Sequence, residues 1–292
     1  MGLLQGVTEL FPVSSLGHSV LLPALLGWHN LVTAQSQTES FFLAFLVGLH
    51  VATALGLLVF YRNTWVKIIK GFFRTLRTRQ VQDSNERLGW LLIVATIPVG
   101  IIGLIFEHKL RVIFAKPLDA AMFLTANGLI LLAGEHYRQS ALHHKAKRQL
   151  AGLAYKEAGM IGTAQVLALL AGISRSGVTM VAGLVRGLSN EDAANFSFLL
   201  ATPIILLAGI YKLPDLLGPN GNGVRGQVLV GSVFAGVAAY FSVKYLTRYF
   251  QTKTLKPFAI YSLVVGILMI FRFAWTQPKY MNFQFRLCLN ML

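Results

Sequence analysis

The sequence predicts an all-α integral membrane protein with six transmembrane helices and two re-entrant helix pairs, which enter and leave the bilayer on one side. Three observations lead to this fold class. Of 292 residues, 55% are hydrophobic and only 13% are charged, about half of the roughly 25% found in soluble domains. Six apolar stretches approach the ~20 residues that a helix needs to cross a bilayer. Two further apolar stretches are interrupted by polar residues. This composition excludes a disordered chain and argues against a soluble enzyme.

The six predicted spans form two groups of three. Each is almost entirely apolar, and polar interruptions within them are few. His50, in the first span, is interpreted as a hydrogen-bonded residue with no catalytic role, because a lone membrane histidine usually finds a partner inside the protein. The predicted spans are residues 41–61, 88–106, 118–134, 196–213, 227–246 and 257–275.

The two interrupted stretches, residues 10–27 and 159–187, have polar, glycine-containing breaks near their centres. Such a break exposes unpaired backbone groups, which the membrane interior tolerates only where they are buried in protein or line a wet cavity. We therefore interpret both stretches as re-entrant helix pairs. The order along the chain is one re-entrant pair, three spans, a second re-entrant pair and three more spans.

The charge of the chain indicates its orientation. There are 26 Lys and Arg residues against 11 Asp and Glu residues, a formal net charge of +15. Sixteen of the basic residues lie in connections 62–87, 135–157 and 244–256, and five lie in 107–117 and 212–226. The positive-inside rule places the first group in the cytoplasm. The first re-entrant pair then enters from outside and the second from inside, and the charge requires no nucleic-acid partner.

The ends of the chain and its single cysteine give little further information about fold or function. Cys288 alone permits no intrachain disulfide framework and no cysteine-based zinc site. No cleavable signal peptide is expected at the amino terminus, since no basic segment precedes the first apolar residues. The carboxyl-terminal residues 280–292 are predicted to be poorly packed.

The two breaks resemble each other. Residues 12–19 (PVSSLGHS) align with residues 172–179 (GISRSGVT) at a constant offset, with serine, glycine and hydroxyl positions in register. We interpret the chain as one polytopic domain, 1–292, containing repeats 1–134 and 155–276. Three spans separate the copies, so the second is inverted in the membrane. Such repeats place a ligand site near the midplane, at the repeat interface.

The polar residues of the breaks predict phosphate chemistry. Gln5 and Glu9 share one helix face, and a carboxylate in hydrocarbon is costly enough to indicate function. Arg175, among small residues at the start of a helix, predicts an anion site suited to phosphate. His18 is a candidate general acid or base, because the ordinary pKa of a histidine side chain lies near neutrality. The supporting donors are Ser14 and Ser15 in the first break, and Ser174, Ser176, Gly177 and Thr179 in the second.

These groups favour phosphoryl transfer on a lipid-borne phosphate. Arg175 would bind and polarise phosphoryl oxygens, and Glu9 would hold a divalent cation or act as a base. Two routes to phosphorus remain open: a serine nucleophile, or water activated by His18.

The motifs at these residues resemble those of the undecaprenyl-diphosphate phosphatase family, also called the bacitracin-resistance proteins. The first motif, Glu/Gln-x-x-x-Glu followed by Pro-Val-Ser-Ser-x-Gly-His, corresponds to residues 5–18. The second, Pro-Gly-x-Ser-Arg-Ser-x-x-Thr, corresponds to residues 171–179. Gln5 takes the place of a glutamate found in many members, and Ala171 replaces the proline.

The resemblance implies hydrolysis of undecaprenyl diphosphate to undecaprenyl phosphate and inorganic phosphate. This reaction recycles the lipid carrier of peptidoglycan synthesis and confers bacitracin resistance. The resemblance also implies a divalent cation, Mg²⁺ or Ca²⁺, and a site open to the outer face of the bacterial plasma membrane. Glu9, Ser15, His18 and Arg175 are carried over as the functional set. The alternative is a transporter or flippase for a phosphate-bearing polyprenyl lipid, and a homodimer is a further partner to test.

Overall fold

The computed structural model describes residues 1–28, 31, 41–114, 116–142, 149–218 and 223–276. Most of these residues are helical, and they include no β-strand. The predicted behaviour of residues 280–292 therefore lies outside the described part. In chain order the α-helices of the described part are α1 (Gly2–Thr8), α2 (Ser15–Leu25), α3 (Phe41–Phe60), α4 (Arg62–Thr78), α5 (Ser84–Phe114), α6 (Pro117–Leu142), α7 (Tyr155–Ala164), α8 (Arg175–Val185), α9 (Asn190–Leu217), α10 (Arg225–Thr252) and α11 (Lys256–Thr276).

Five helices, α5, α6, α9, α10 and α11, are long and apolar enough to cross a membrane. Helices α3 and α4 pass the same test together, but they are bent by 86° at Tyr61 and count as a sixth candidate only if taken as one span. The described part of the chain is therefore that of an α-helical, multi-pass membrane protein, as the composition predicted.

The helices extend beyond the predicted spans. The apolar stretch 88–106 lies within α5, which runs from Ser84 to Phe114, and α10 continues to Thr252. Residues 62–87 were expected to be a simple connection, but most of them form α4. The difference arises because hydropathy reports only the part of a helix in hydrocarbon, whereas backbone hydrogen bonding continues into the polar ends.

Both interrupted stretches are helix pairs with a non-helical break. The first pair begins earlier than residue 10, because α1 starts at Gly2. Its two ends return to one place: Met1 and Leu31 both pack against the apolar cluster that contains Phe42 and Leu49. The second pair consists of α7, a short 3₁₀ segment at Gln165–Leu169 and α8.

Close backbone packing seats each pair on a long helix. A Cβ atom at Gly2 would lie 2.3 Å from the Gly231 carbonyl oxygen, so α1 touches the backbone of α10. A Cβ atom at Gly162 would lie 2.1 Å from the Ala95 carbonyl oxygen, so α7 touches α5 in the same way. Small residues at membrane helix interfaces permit this approach.

Candidate functional site

The two breaks are in direct contact. A Cβ atom at Gly17 would lie 2.8 Å from the Gly172 Cα atom. Ser14 has a positive φ of 69°, and its Oγ atom accepts from the N–H groups of Gly17 and Gly172, each at 3.2 Å. Ser14 thus caps α2 and joins the breaks. Gly172 has φ of 116° and a Cβ position only 2.4 Å from the Ala120 carbonyl oxygen, so no larger residue fits there.

Asn127, which is fully buried in α6, links both breaks. Its Nδ2 atom donates to the Pro12 carbonyl oxygen at 3.0 Å and to Ser262 Oγ at 3.2 Å. Its Oδ1 atom accepts from the Ser174 N–H at 3.0 Å. One amide therefore satisfies backbone groups that the two breaks leave without intrahelical partners.

The carboxylate of Glu9 is the centre of the site. Its Oε1 atom lies 3.0 Å from Nη2 of Arg175, in the other half of the chain. Its Oε2 atom accepts from Ser15 Oγ, and from Gln5 Nε2 at 3.1 Å. His50 Nε2 lies 3.4 Å from the same oxygen. The residue is 8% exposed, and this set of donors compensates for the removal of its carboxylate from water.

Arg175 is the first residue of α8. In addition to the contact with Glu9, its Nη1 atom donates to the Ser197 carbonyl oxygen at 3.3 Å. Its Nε atom is buried and has no partner among the described residues. The guanidinium therefore has donor capacity left for an anion, and the N-terminus of α8 adds favourable partial charge.

His18 lies in α2 and is held at both ring nitrogens. Nδ1 lies 2.7 Å from the Ser14 carbonyl oxygen, and Nε2 lies 2.8 Å from the Tyr261 hydroxyl. A carbonyl can only accept, so Nδ1 carries a proton and Nε2 of the neutral ring accepts from Tyr261. The two rings also stack, with centroids 5.8 Å apart. An Nε2 atom without its own proton can accept one from water or a hydroxyl group.

The hydroxyl groups of the second break serve α8 itself. Ser174 caps the helix by accepting from the Gly177 N–H at 3.2 Å, and it pairs with Ser176 Oγ at 3.0 Å. Thr179 Oγ1 lies 2.6 Å from Ser197 Oγ. The predicted anion donors of the second break are therefore already engaged in hydrogen bonds within the protein. The structure does bring Gln5, Glu9, Ser15 and Arg175 together.

Three residues of the site were missed at the level of sequence. His50, interpreted as a residue with no catalytic role, does bond a backbone carbonyl, that of Leu46 at 2.8 Å, but it also faces Glu9. Asn127 and Tyr261 complete the set. For Asn127 and His50, the available signal was a polar side chain inside an apolar span, which indicates a functional or structural partner. Tyr261 lies near the start of α11, where a tyrosine is common and gives no such signal.

A cation at this site would find oxygen ligands from Glu9 and Gln5. Among the described residues no three His, Cys, Asp or Glu side chains form a metal-binding group. The Gln5 Oε1 atom, however, is buried without a partner beside Glu9. One carboxylate and one amide oxygen suit a hard cation that takes its remaining ligands from water and substrate phosphates.

Comparison with known proteins connects this geometry to a family. Residues 1–268 match the family described as "Bacitracin resistance protein BacA". The chain is 53% identical to the undecaprenyl-diphosphatase 2 of Frankia alni, over 94% of this chain and 96% of that protein. It is 54% identical to the undecaprenyl-diphosphatase of Mycolicibacterium paratuberculosis, over 91% and 93% of the two chains. The undecaprenyl-diphosphatase 2 of Burkholderia ambifaria is 43% identical, over 92% and 94%.

Proposed function

Because the chain belongs to the bacitracin resistance protein family, we propose that it hydrolyses undecaprenyl diphosphate to undecaprenyl phosphate and inorganic phosphate. The activity recycles the lipid carrier of peptidoglycan synthesis and confers bacitracin resistance. One observation carries the assignment to these atoms: the Glu9 carboxylate contacts both the Ser15 hydroxyl and the Arg175 guanidinium. A nucleophile, an acceptor for its proton and a phosphoryl-binding cation thus lie within one hydrogen-bonded group.

The contacts favour Ser15 as the nucleophile. Arg175 binds the phosphoryl oxygens of the diphosphate, and its withdrawal from Glu9 leaves that carboxylate free to accept the Ser15 proton. Ser15 Oγ then forms a bond to the terminal phosphorus, and the bond from that phosphorus to the bridging oxygen breaks. The bridging oxygen leaves with the electron pair, as undecaprenyl phosphate. Water later cleaves the phosphoserine and releases inorganic phosphate.

His18 supports the second step or replaces the first. Its Nε2 atom, which accepts from the Tyr261 hydroxyl, would take up a water proton through that hydroxyl, which gives its own proton to Nε2 and receives one from the water. In the alternative mechanism the activated water attacks the diphosphate directly and no phosphoserine forms. Acid quenching with a substrate labelled in the terminal phosphate distinguishes the two. A phosphoserine that disappears in Ser15→Ala supports the first, and substantial turnover of Ser15→Ala supports the second.

The proposed cofactor is Mg²⁺ or Ca²⁺, held by Glu9 and Gln5 together with the diphosphate. The unpartnered Gln5 Oε1 atom supports this position. When bound, the cation would neutralise charge that develops on the phosphate oxygens. Arg175 would orient the same group from the opposite half of the chain.

The proposed membrane arrangement keeps six spans and two re-entrant pairs. The packing of Met1 and Leu31 on one cluster supports a first pair that returns to the side it started from. Arg87 Nη2 lies 2.9 Å from the Leu153 carbonyl oxygen, and Asn190 Nδ2 lies 2.7 Å from that of Lys253. Each contact joins the end of a basic connection to a neighbouring element. These contacts support a common side for the basic connections, which we propose is the cytoplasmic side of the bacterial plasma membrane, with the site open to the outer face.

The inverted repeat is likewise proposed on corresponding contacts. Ser14 and Ser174, 160 residues apart, each cap a helix by accepting from the N–H three residues later, at Gly17 and Gly177. With the same offset, Gly2 and Gly162 each touch the backbone of a long helix. This correspondence supports the proposed repeats 1–134 and 155–276.

Phosphate release from the C55 diphosphate in detergent, with and without EDTA, tests the function. Arg175→Ala removes a preorganised donor and is expected to lower kcat/KM by about 100- to 1,000-fold. Arg186→Ala, at the other end of α8, is the matched control and should retain activity. Wild-type turnover in Arg175→Ala would overturn the assignment.

A transporter or flippase for the same lipid is the alternative function. It would need the Arg175 anion site but neither the Ser15–Glu9 contact nor His18. Movement of labelled lipid between the leaflets of proteoliposomes, without phosphate release, would favour it. Native mass spectrometry of the protein in detergent tests the proposed homodimer. A nucleic-acid partner is not expected.

A further inference from the structure

An apolar groove lies on the surface of the protein, and neither Glu9 nor Arg175 lines it. It has a volume of about 540 Å³ and is formed by α4, α5 and α9. The residues of α5 that line the groove are spaced three or four apart between Gly89 and Leu104, so they belong to one face of that helix. The volume falls within the range of small-molecule sites, roughly 300–1,000 Å³. Lining side chains include Trp65, Phe72, Leu92, Ile97 and Leu207.

Helix α4, which forms one end of the groove, has the character of a membrane-surface helix. It is bent by 86° from α3, so it lies across the direction of that helix. It contains basic residues and no acidic residue. One face is apolar and strongly exposed, with Phe73 64% exposed and Ile69 49% exposed. An amphipathic helix of this composition lies in the interface of a bilayer and attracts anionic lipid.

Contacts between α4 and α5 hold the two helices of the groove together. Trp90 Nε1 in α5 donates to Thr75 Oγ1 in α4 at 3.1 Å, and the rings of Phe72 and Trp90 lie 5.1 Å apart. Arg74 in α4 pairs with Glu86 in α5 and with Asp83 just before it. Since these contacts hold α4 against α5, the apolar space between them is a feature of the fold.

Two cations border the apolar face of α4 and make no ion pair with the described residues. Arg62 lies three residues before Trp65, and Lys70 lies three residues before Phe73. Residues three apart on a helix are neighbours, so each cation borders a side chain of the groove. Both side chains are exposed. Their charge complements a phosphate that would lie beside an apolar chain.

We propose that this groove binds an anionic phospholipid, with an acyl chain along α5 and the phosphate between Arg62 and Lys70. The groove supplies apolar contact and α4 supplies charge, and an anionic phospholipid is the bilayer component that combines both. Binding would anchor α4 on the membrane surface. The site is separate from Glu9 and Arg175 and does not depend on the proposed hydrolysis.

The test of the charge uses delipidated full-length protein and native mass spectrometry. Phosphatidylglycerol should bind about 10- to 30-fold more tightly than phosphatidylcholine. The Arg62→Gln/Lys70→Gln variant should lose that preference. The control, Arg248→Gln/Lys256→Gln, removes the same charge from the α10–α11 turn and should keep it. Equal binding of the two lipids by the unmodified protein would overturn the proposal.

The test of the groove uses two glycines of α5. Neither Gly100 nor Gly103 has an atom within 4 Å of its Cβ position, but only Gly100 lines the groove. Gly100→Leu should reduce phosphatidylglycerol binding at least about tenfold, and Gly103→Leu should not. Equal effects of both would overturn the proposal. So would loss of a dimer in Gly100→Leu with lipid binding unchanged, since the groove would then be an interface between two copies.

Discussion

The Oε1 atom of Glu9 lies 3.0 Å from Nη2 of Arg175, although 166 residues separate them. The two charges belong to different broken helix pairs, and their contact is made where Gly17 meets Gly172. The ion pair is therefore a consequence of how the two halves of the chain dock.

Glu9 and Arg175 should be energetically coupled. Glu9→Gln or Arg175→Gln alone leaves a buried charge without its partner, and each is expected to lower the thermal midpoint in detergent. The double variant should lose less than the sum, with a coupling of about 0.5–3 kcal/mol. A thermal-shift series on the four proteins measures it. Additive losses would mean that the contact contributes nothing to stability.

Removing the Tyr261 hydroxyl should impair His18. Tyr261→Phe leaves Nε2 without its donor at 2.8 Å but keeps the ring stacking. We expect kcat to fall about fivefold, which corresponds to the ~1 kcal/mol of one hydrogen bond, with KM little changed and the pH–rate profile displaced. Tyr240→Phe, whose ring packs on Phe60, is the control. An unchanged pH profile in Tyr261→Phe would exclude this role.

Asn127 is expected to stabilise the junction of the breaks. Asn127→Leu removes the donor to Pro12 and the acceptor for the Ser174 N–H. Hydrogen bonds inside membrane proteins average about 0.6 kcal/mol, so loss of this set should lower the free energy of unfolding by about 1–2 kcal/mol. Thr125→Val, which removes one bond to a carbonyl of its own helix, should cost less. Thermal unfolding in detergent measures both variants, and equal thermal midpoints for Asn127→Leu and Thr125→Val would contradict the prediction.

Gly172 should tolerate no side chain. Gly172→Ala combines a positive φ with a Cβ atom 2.4 Å from the Ala120 carbonyl oxygen, so the second break would have to move away from α6. Gly187 also has a positive φ, of 87°, but nothing lies within 4 Å of its Cβ position. Gly187→Ala should therefore cost only about 1–2 kcal/mol of backbone strain. Phosphate release should be lost in Gly172→Ala and kept in Gly187→Ala, and comparable activity in both would refute the close approach.

Gln5→Glu should strengthen the cation site. A second carboxylate beside Glu9 would add charge where the Gln5 Oε1 atom now has no partner. After removal of divalent cations with EDTA, the Mg²⁺ concentration that restores half of the activity should fall about tenfold relative to the parent protein. Titration with K⁺ at equal ionic strength controls for screening. An unchanged Mg²⁺ requirement would place the cation elsewhere.

The membrane class and the position of both breaks could be predicted from sequence because each rests on a local property. Apolar length identifies a span such as α9, and a glycine- and serine-containing break inside apolar sequence must be buried. Helix ends were less predictable. The bend at Tyr61 and the surface helix α4 depend on packing against α5, which hydropathy does not describe.

The sequence by itself determined the candidate site residues: Glu9, Ser15, His18 and Arg175 are polar groups in places where hydrocarbon makes polarity costly. Only the tertiary structure decided their partners. It engaged Ser174 and Thr179 in hydrogen bonds around α8 and joined Ser15 to Glu9. It also placed His50 beside Glu9 and Tyr261 beside His18, although each partner lies on a distant helix. The physical reason is distance along the chain, because contacts across more than 100 residues depend on backbone approach at glycines such as Gly17 and Gly172.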